Sequence, residues 1–175
     1  MLRAERRSVP RGKGEFSPTD ALLTLRRFGV DFVCIGGVAA VLQGANYVTF
    51  DLDVCPDSSK ANLDRLAQAL EALGARVRVE GIEDGLPFDH SGESLARARI
   101  WNLKTSAGDL DLCFLPAGTS GFDDLSENAD PVDIEGEQVL VASIADIIRS
   151  KRAANRDKDH LALPILERMQ AELDR

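Results

Sequence analysis

The chain has 175 residues, 44% hydrophobic and 29% charged, enough for one packed domain and unlike a disordered or fibrous composition. Its net charge of −8 is uneven: residues 17–148 hold nine Lys/Arg against 22 Asp/Glu, whereas residues 1–16 and 149–160 each hold five against two. An acidic body excludes broad, sequence-independent nucleic-acid binding, which needs a basic face; the two basic segments leave room for a narrower polyanion contact.

No apolar run nears the roughly 20 residues of a membrane span, and the basic start lacks the apolar segment of a signal peptide. A cytoplasmic protein without a membrane partner is expected. Cys34, Cys55 and Cys113 are odd in number, without a close pair, and lie in apolar stretches. They read as reduced core residues, since free Cys packs like a small hydrophobe.

Residues 1–16 read as a flexible arm. Ser17 before Pro18 signals a helix start, Leu22, Leu23, Leu25 and Phe28 give that helix an apolar side, and Gly29 ends it. Phe32 to Ile35 reads as a buried strand broken by Gly36-Gly37, after which Val38 to Leu42 turns away as a helix. Thr49 to Cys55 alternates, which sends Thr49, Asp51, Asp53 and Cys55 to one strand face. Ser58 or Ser59 can cap the next helix, where Leu63, Leu66, Leu70 and Leu73 recur at helical period up to Gly74. Arg76 to Val79 is a third strand, and residues 81–95, rich in Gly and acid, read as a loop.

Arg99–Thr105 and Asp109–Leu115 form an expected hairpin around Ser106-Ala107-Gly108, and Val132–Ile134 with Gln138–Val141 a smaller one around Glu135-Gly136. Ser143 caps a helix bearing Ile144, Ile147 and Ile148, and a last helix runs from Asp157 to Leu173 with a kink expected at Pro164. The fold class is α/β (α+β): a mixed sheet flanked by helices, in a core over 17–142 with C-terminal helices, 143–175, packed on it.

Asp51 and Asp53, two apart on one strand face, have Cα atoms about 6.5–7 Å apart, a spacing from which two carboxylates can converge on divalent metal. Gly36-Gly37, between strand and helix, is a candidate phosphate cradle. Asp111 interrupts the apolar pattern of Leu110 to Leu115, and a strand-interior Asp needs a partner, for which a metal qualifies. Asp109 shares its face but lies at the turn, where Asp is expected for turn reasons; it is the fallback third carboxylate. The basic run Arg149, Lys151, Arg152, Arg156 and Lys158 fits either phosphate contact or a solvated helix end. His90 and His160 lack ligand spacing, and Trp101 and Tyr47 are too few for a base-stacking platform.

The ordered set Gly36-Gly37-Val38-Ala39, Gln43-Gly44, Thr49-Phe50-Asp51-Leu52-Asp53, Leu110-Asp111-Leu112, Ala142-Ser143-Ile144 and Lys151-Arg152-Ala153-Ala154 to Lys158-Asp159 resembles the compact nucleotidyltransferases of the polymerase β superfamily, especially the AbiEii-like group and the related MenT toxins. The resemblance spans residues 17–165. It implies that Asp51, Asp53 and Asp111 bind Mg²⁺ or Mn²⁺ and that Asp111 helps to activate an acceptor hydroxyl. It further implies a nucleoside triphosphate held by Gly36, Gly37 and Thr49, with Lys151, Lys158 and Asp159 near the triphosphate. The acceptor implied is an RNA (tRNA) or protein hydroxyl, and a toxin role with a cognate antitoxin follows from the same likeness. Many relatives carry Ser where this chain has Gly37, and His-Gly followed by Arg where it has Gln43, Gly44 and Tyr47. The competing expectation is a non-catalytic domain that binds nucleotide or a partner on the same scaffold.

Overall fold

Two adjacent strands that alternate leucine with aspartate decide which way the layers face. The structure is a computed structural model and describes residues 15–175. Its elements are α1 (Pro18–Arg27), β1 (Phe32–Ile35), α2 (Gly36–Leu42), β2 (Asp51–Pro56), α3 (Lys60–Ala72), β3 (Arg76–Val79), β4 (Ile82–Leu86), α4 (Gly92–Leu95), β5 (Ile100–Thr105), β6 (Gly108–Cys113), α5 (Phe122–Glu127), β7 (Asp130–Ile134), β8 (Glu137–Val141), α6 (Ile144–Ala154) and α7 (Asp157–Leu173). The strands form one sheet in the order β4-β3-β5-β6-β2-β1-β8-β7. β2–β6 and β1–β8 are parallel; the other neighbours are antiparallel. The mixed sheet expected from irregular strand spacing is what forms.

Side chains alternate across a strand, so the β2–β6 register fixes both faces at once. Leu52 stands beside Leu110 and Val54 beside Leu112, all fully buried, while Asp51 stands beside Asp109 and Asp53 beside Asp111 on the opposite face. The leucine face continues through Cys34 on β1 and Leu103 on β5. Helix α2 packs on β1 and β2, and α6 packs on α2 and α7, on the aspartate side. This leaves α1 and α3, whose Leu22, Leu25, Leu63, Leu66 and Leu70 are buried, to cover the leucine side.

Asn62 on α3, fully buried, has all its polar reach engaged: Oδ1 accepts from Asp31 N at 2.8 Å, and Nδ2 donates to Asp31 O and Asp57 O at 2.9 and 2.7 Å. It ties the start of β1 to the end of β2, as a buried amide must be satisfied to be tolerated. Among the described residues no helix is long and apolar enough to cross a membrane. All three cysteines are free thiols; Cys34 and Cys55 are buried in the core as expected, whereas Cys113 is half-buried and outside it.

Several sequence expectations shift. Residues 81–95, read as a loop, hold the edge strand β4 and the one-turn α4. β4 shows no apolar alternation because all of it but Gly85 is exposed; it forms by backbone pairing to β3. Arg76 reinforces it by donating to Asp84 O and Gly85 O, and Lys104 by donating to Glu83 O. Helix α5 lies in a stretch, 116–131, for which no element was expected; at six residues it is too short to show a helical period. β2 begins at Asp51 and not at Thr49, and β6 ends at Cys113. Ser59 occupies the position before α3 but bonds Asp57 and no helix N–H, whereas Ser143 caps α6 as expected, accepting from Asp146 N at 3.1 Å. Helix α7 runs through Pro164. The arm over 1–16 lies outside the described residues except for its last two, of which Phe16 packs against the core.

Candidate active site

The aspartate face becomes a site where β1 hands over to α2. Gly36 adopts φ +68°, a conformation that L side chains rarely hold, and a Cβ there would land on Asp53 Oδ2. A Cβ at Gly37 would meet Thr49 Oγ1 at 2.7 Å. Both glycines thus make room for the protein's own polar side chains. The second contact accounts for the departure at Gly37: the volume a Ser side chain needs there is held by Thr49, whose hydroxyl donates to Asp51 Oδ1 at 3.1 Å.

Asp51, Asp53 and Asp111 each offer an oxygen, and these oxygens lie within 4.8 Å of one another. Three hard oxygen donors at that separation fit a divalent cation of the Mg²⁺ or Mn²⁺ class. Their crowding has an electrostatic signature. Burial, then the charges of Asp51 and Asp111, push the Asp53 carboxyl up to about 6, against the opposing pull of Lys158 and Lys151. Asp111 is also raised, chiefly by burial, with Arg78 opposing and Asp51 and Asp109 adding.

Asp109 is not one of the three. It is held instead by Arg78 on β3, whose Nη1 lies 2.7 Å from Asp109 Oδ2 while Nη2 donates to Asp111 Oδ1 and Oδ2 at 2.9 and 3.1 Å. The partner that a strand-interior Asp111 requires is therefore, in part, an arginine two strands away. Sequence reading missed Arg78, although the alternation Arg76-Val77-Arg78-Val79 signals a strand with both arginines on one face.

A cleft of about 400 Å³ opens at Asp51 and Asp53, lined also by Gly36, Gly37 and Thr49 and by a cationic wall of Lys151, Arg156 and Lys158. A third wall is apolar, with Leu115, Pro116, Leu125 and Ile147. The cationic wall is built by the turn after α6. Asn155 takes the left-handed conformation, φ 51° and ψ 40°, which Asn tolerates better than most residues, and returns the chain against Lys151.

Asp159, expected beside the triphosphate, is fully buried instead and serves as the hub of that wall. Its Oδ1 accepts from Lys151 Nζ and Arg156 Nη2, both at 3.3 Å, and its Oδ2 from Arg156 N and Nε at 3.2 and 2.8 Å. Burial opposes its ionisation, but the Arg156 hydrogen bonds and the cations outweigh that and hold the carboxyl below its usual value. Lys151 is nearly buried and sits 5.9 Å from the Tyr47 ring centre, so Tyr47 belongs to the cleft without any stacking platform. Arg156, expected only as a member of the basic run, lines the cleft as well. His90, by contrast, bonds Ala75 O at 2.8 Å, away from the cleft.

Three solved structures share this architecture. A lincosamide antibiotic adenylyltransferase, LnuA, in its lincomycin-bound form superposes with a TM-score of 0.57 at 16% identity, over 89% of this chain and 98% of its own. The fold is that of the nucleotidyltransferases. ANT(2'')-Ia in complex with adenylyl-2''-tobramycin gives a TM-score of 0.51 at 16% identity, over 83% of each chain. An antigenic nucleotidyltransferase-like protein from Paracoccidioides brasiliensis gives 0.50 at 16% identity, over 85% of this chain and 72% of its own. No family model and no curated protein matches the chain. The nucleotidyltransferase fold expected from the sequence is thus present, while the AbiEii-like and MenT grouping is finer than these likenesses reach.

Proposed function

We propose that the chain is a metal-dependent nucleotidyltransferase that moves a nucleoside monophosphate from a nucleoside triphosphate to an acceptor hydroxyl. The observation that carries this reading is a cleft lined by Asp51 and Asp53 together with Lys151, Arg156 and Lys158, with Asp111 converging on the two carboxylates. Asp51, Asp53 and Asp111 would hold Mg²⁺ or Mn²⁺, and a bound ion offsets the charge of phosphate oxygens during in-line displacement. Lys151 and Lys158 face the β- and γ-phosphates, and Gly36, Gly37 and Thr49 line the wall beside them. Asp159 orients Lys151 and meets no ligand. Asp111 takes the proton of the acceptor hydroxyl as the new oxygen–phosphorus bond forms at the α-phosphate and the bond to pyrophosphate breaks.

The acceptor we infer is an RNA (tRNA) or protein hydroxyl, and in the AbiEii-like reading the chain is a toxin restrained by a cognate antitoxin. A second acceptor class, a small hydroxylated antibiotic, is favoured by the ligands of two structural neighbours, lincomycin and adenylylated tobramycin. Incubation with each α-phosphate-labelled triphosphate, Mg²⁺, and in turn total RNA, cell protein, lincomycin or tobramycin identifies the acceptor by what becomes labelled. No label on any acceptor, with triphosphate still bound, would establish the non-catalytic scaffold instead.

A further inference from the structure

Arg78 is the one cation among the described residues that bonds a member of the carboxylate triad directly. It comes from β3, two strands from β6, reaching across β5 along the aspartate face. One nitrogen is anchored on Asp109, outside the triad, and the other spans both oxygens of Asp111. The pair is well shielded, with Asp111 16% and Arg78 29% exposed. Its Coulomb term is therefore screened less than that of a surface bridge. The planar fork also limits where the carboxylate can turn.

We propose that Arg78 is a positioning residue for the third carboxylate, holding Asp111 toward Asp51 and Asp53 and supplying part of the positive charge that an ion brings to the triad. The proposal rests on the transferase reading of the site. Two consequences point in opposite directions. Arg78 repels a divalent cation from the triad, so removing its charge tightens metal binding; and Arg78 orients Asp111, so removing its fork slows transfer. An arginine that only lent its charge would give the gain without the loss.

The test is calorimetric titration of Mn²⁺ into nucleotide-free wild type, Arg78→Gln, Arg78→Lys and Asp53→Asn, alongside transfer rates. Arg78→Gln is expected to bind Mn²⁺ about five-fold more tightly, a size set by one unit charge acting on a divalent ion across a partly hydrated site. Its transfer rate is expected to fall at least ten-fold. Arg78→Lys keeps the charge and loses the fork, so its Mn²⁺ affinity stays within about two-fold of wild type while transfer still falls. Wild-type binding lost in Asp53→Asn but unchanged or weakened in Arg78→Gln overturns the role of Arg78 and leaves the metal reading intact. No Mn²⁺ binding by wild type or Arg78→Gln overturns both. Should Arg78→Gln fail to fold, an Arg78→Lys protein with wild-type transfer rates overturns the positioning role by itself.

Discussion

β2 and β6 present two faces built from the same twelve residues: leucine and valine on one, aspartate on the other. The apolar face is closed over by α1 and α3, and each side chain there gains by leaving water. The acidic face gathers charges that repel one another, and burial together with the charges of Asp51 and Asp111 raises the carboxyl of Asp53. One face holds the fold together and the other stores a demand for positive charge that the fold meets only in part, through Arg78, Lys151 and Lys158. Substitutions on the two faces should therefore have opposite profiles, and each expected outcome below checks that contrast.

The largest effect is expected on the acidic face and in activity. Asp53→Asn should lower nucleotidyl transfer by at least about a hundred-fold, since an amide cannot offset a metal's charge. The melting temperature of the metal-free variant should hold or rise, because one repelling charge is gone. A clear loss of stability would show that Asp53 serves the fold. Across the sheet, Leu110→Ala empties a fully buried site beside Leu52 and should cost about 3 kcal/mol in denaturant unfolding. Metal affinity of its folded fraction should be that of wild type.

Lys151→Ala should weaken triphosphate binding about ten-fold and monophosphate binding less than two-fold, since the β- and γ-phosphates carry the charge that Lys151 would meet. Equal effects on both ligands in parallel titrations would detach Lys151 from the triphosphate. The smallest effect concerns pH. The Asp53 carboxyl is raised from 3.8 to about 6, so the folded state binds more protons than the unfolded state between those values. Stability of the metal-free protein should then rise as pH falls from 7 to 5, and Mn²⁺ affinity should fall over the same range as protons compete. Stability that drops over that interval would put the raised carboxyl elsewhere.

The same contrast explains what was legible. Alternation placed Asp51 and Asp53 on one face, and the break in an apolar run singled out Asp111; both are local signals with a period of two. The hairpin of β5 and β6, the cap at Ser143 and the glycine pair that opens α2 were equally local. Arg78 pairs with a residue 33 positions away, and the burial of Asp159 depends on how α7 folds back onto α6, so neither is written in spacing. β4 carried no apolar stripe because backbone pairing alone recruits it. The glycines at 36 and 37 line the cleft, and the close approach of Asp53 and Thr49 to them is not written in spacing.

The central claim is that the acidic face is a metal and nucleotide site. A crystal of the protein grown with Mn²⁺ and a non-hydrolysable nucleoside triphosphate tests it most directly, through the anomalous signal of manganese. The account predicts a manganese peak bonded to oxygens of Asp51, Asp53 and Asp111, with the triphosphate lying between it and Lys151. A nucleotide bound elsewhere, or a manganese peak away from these three carboxylates, would contradict it.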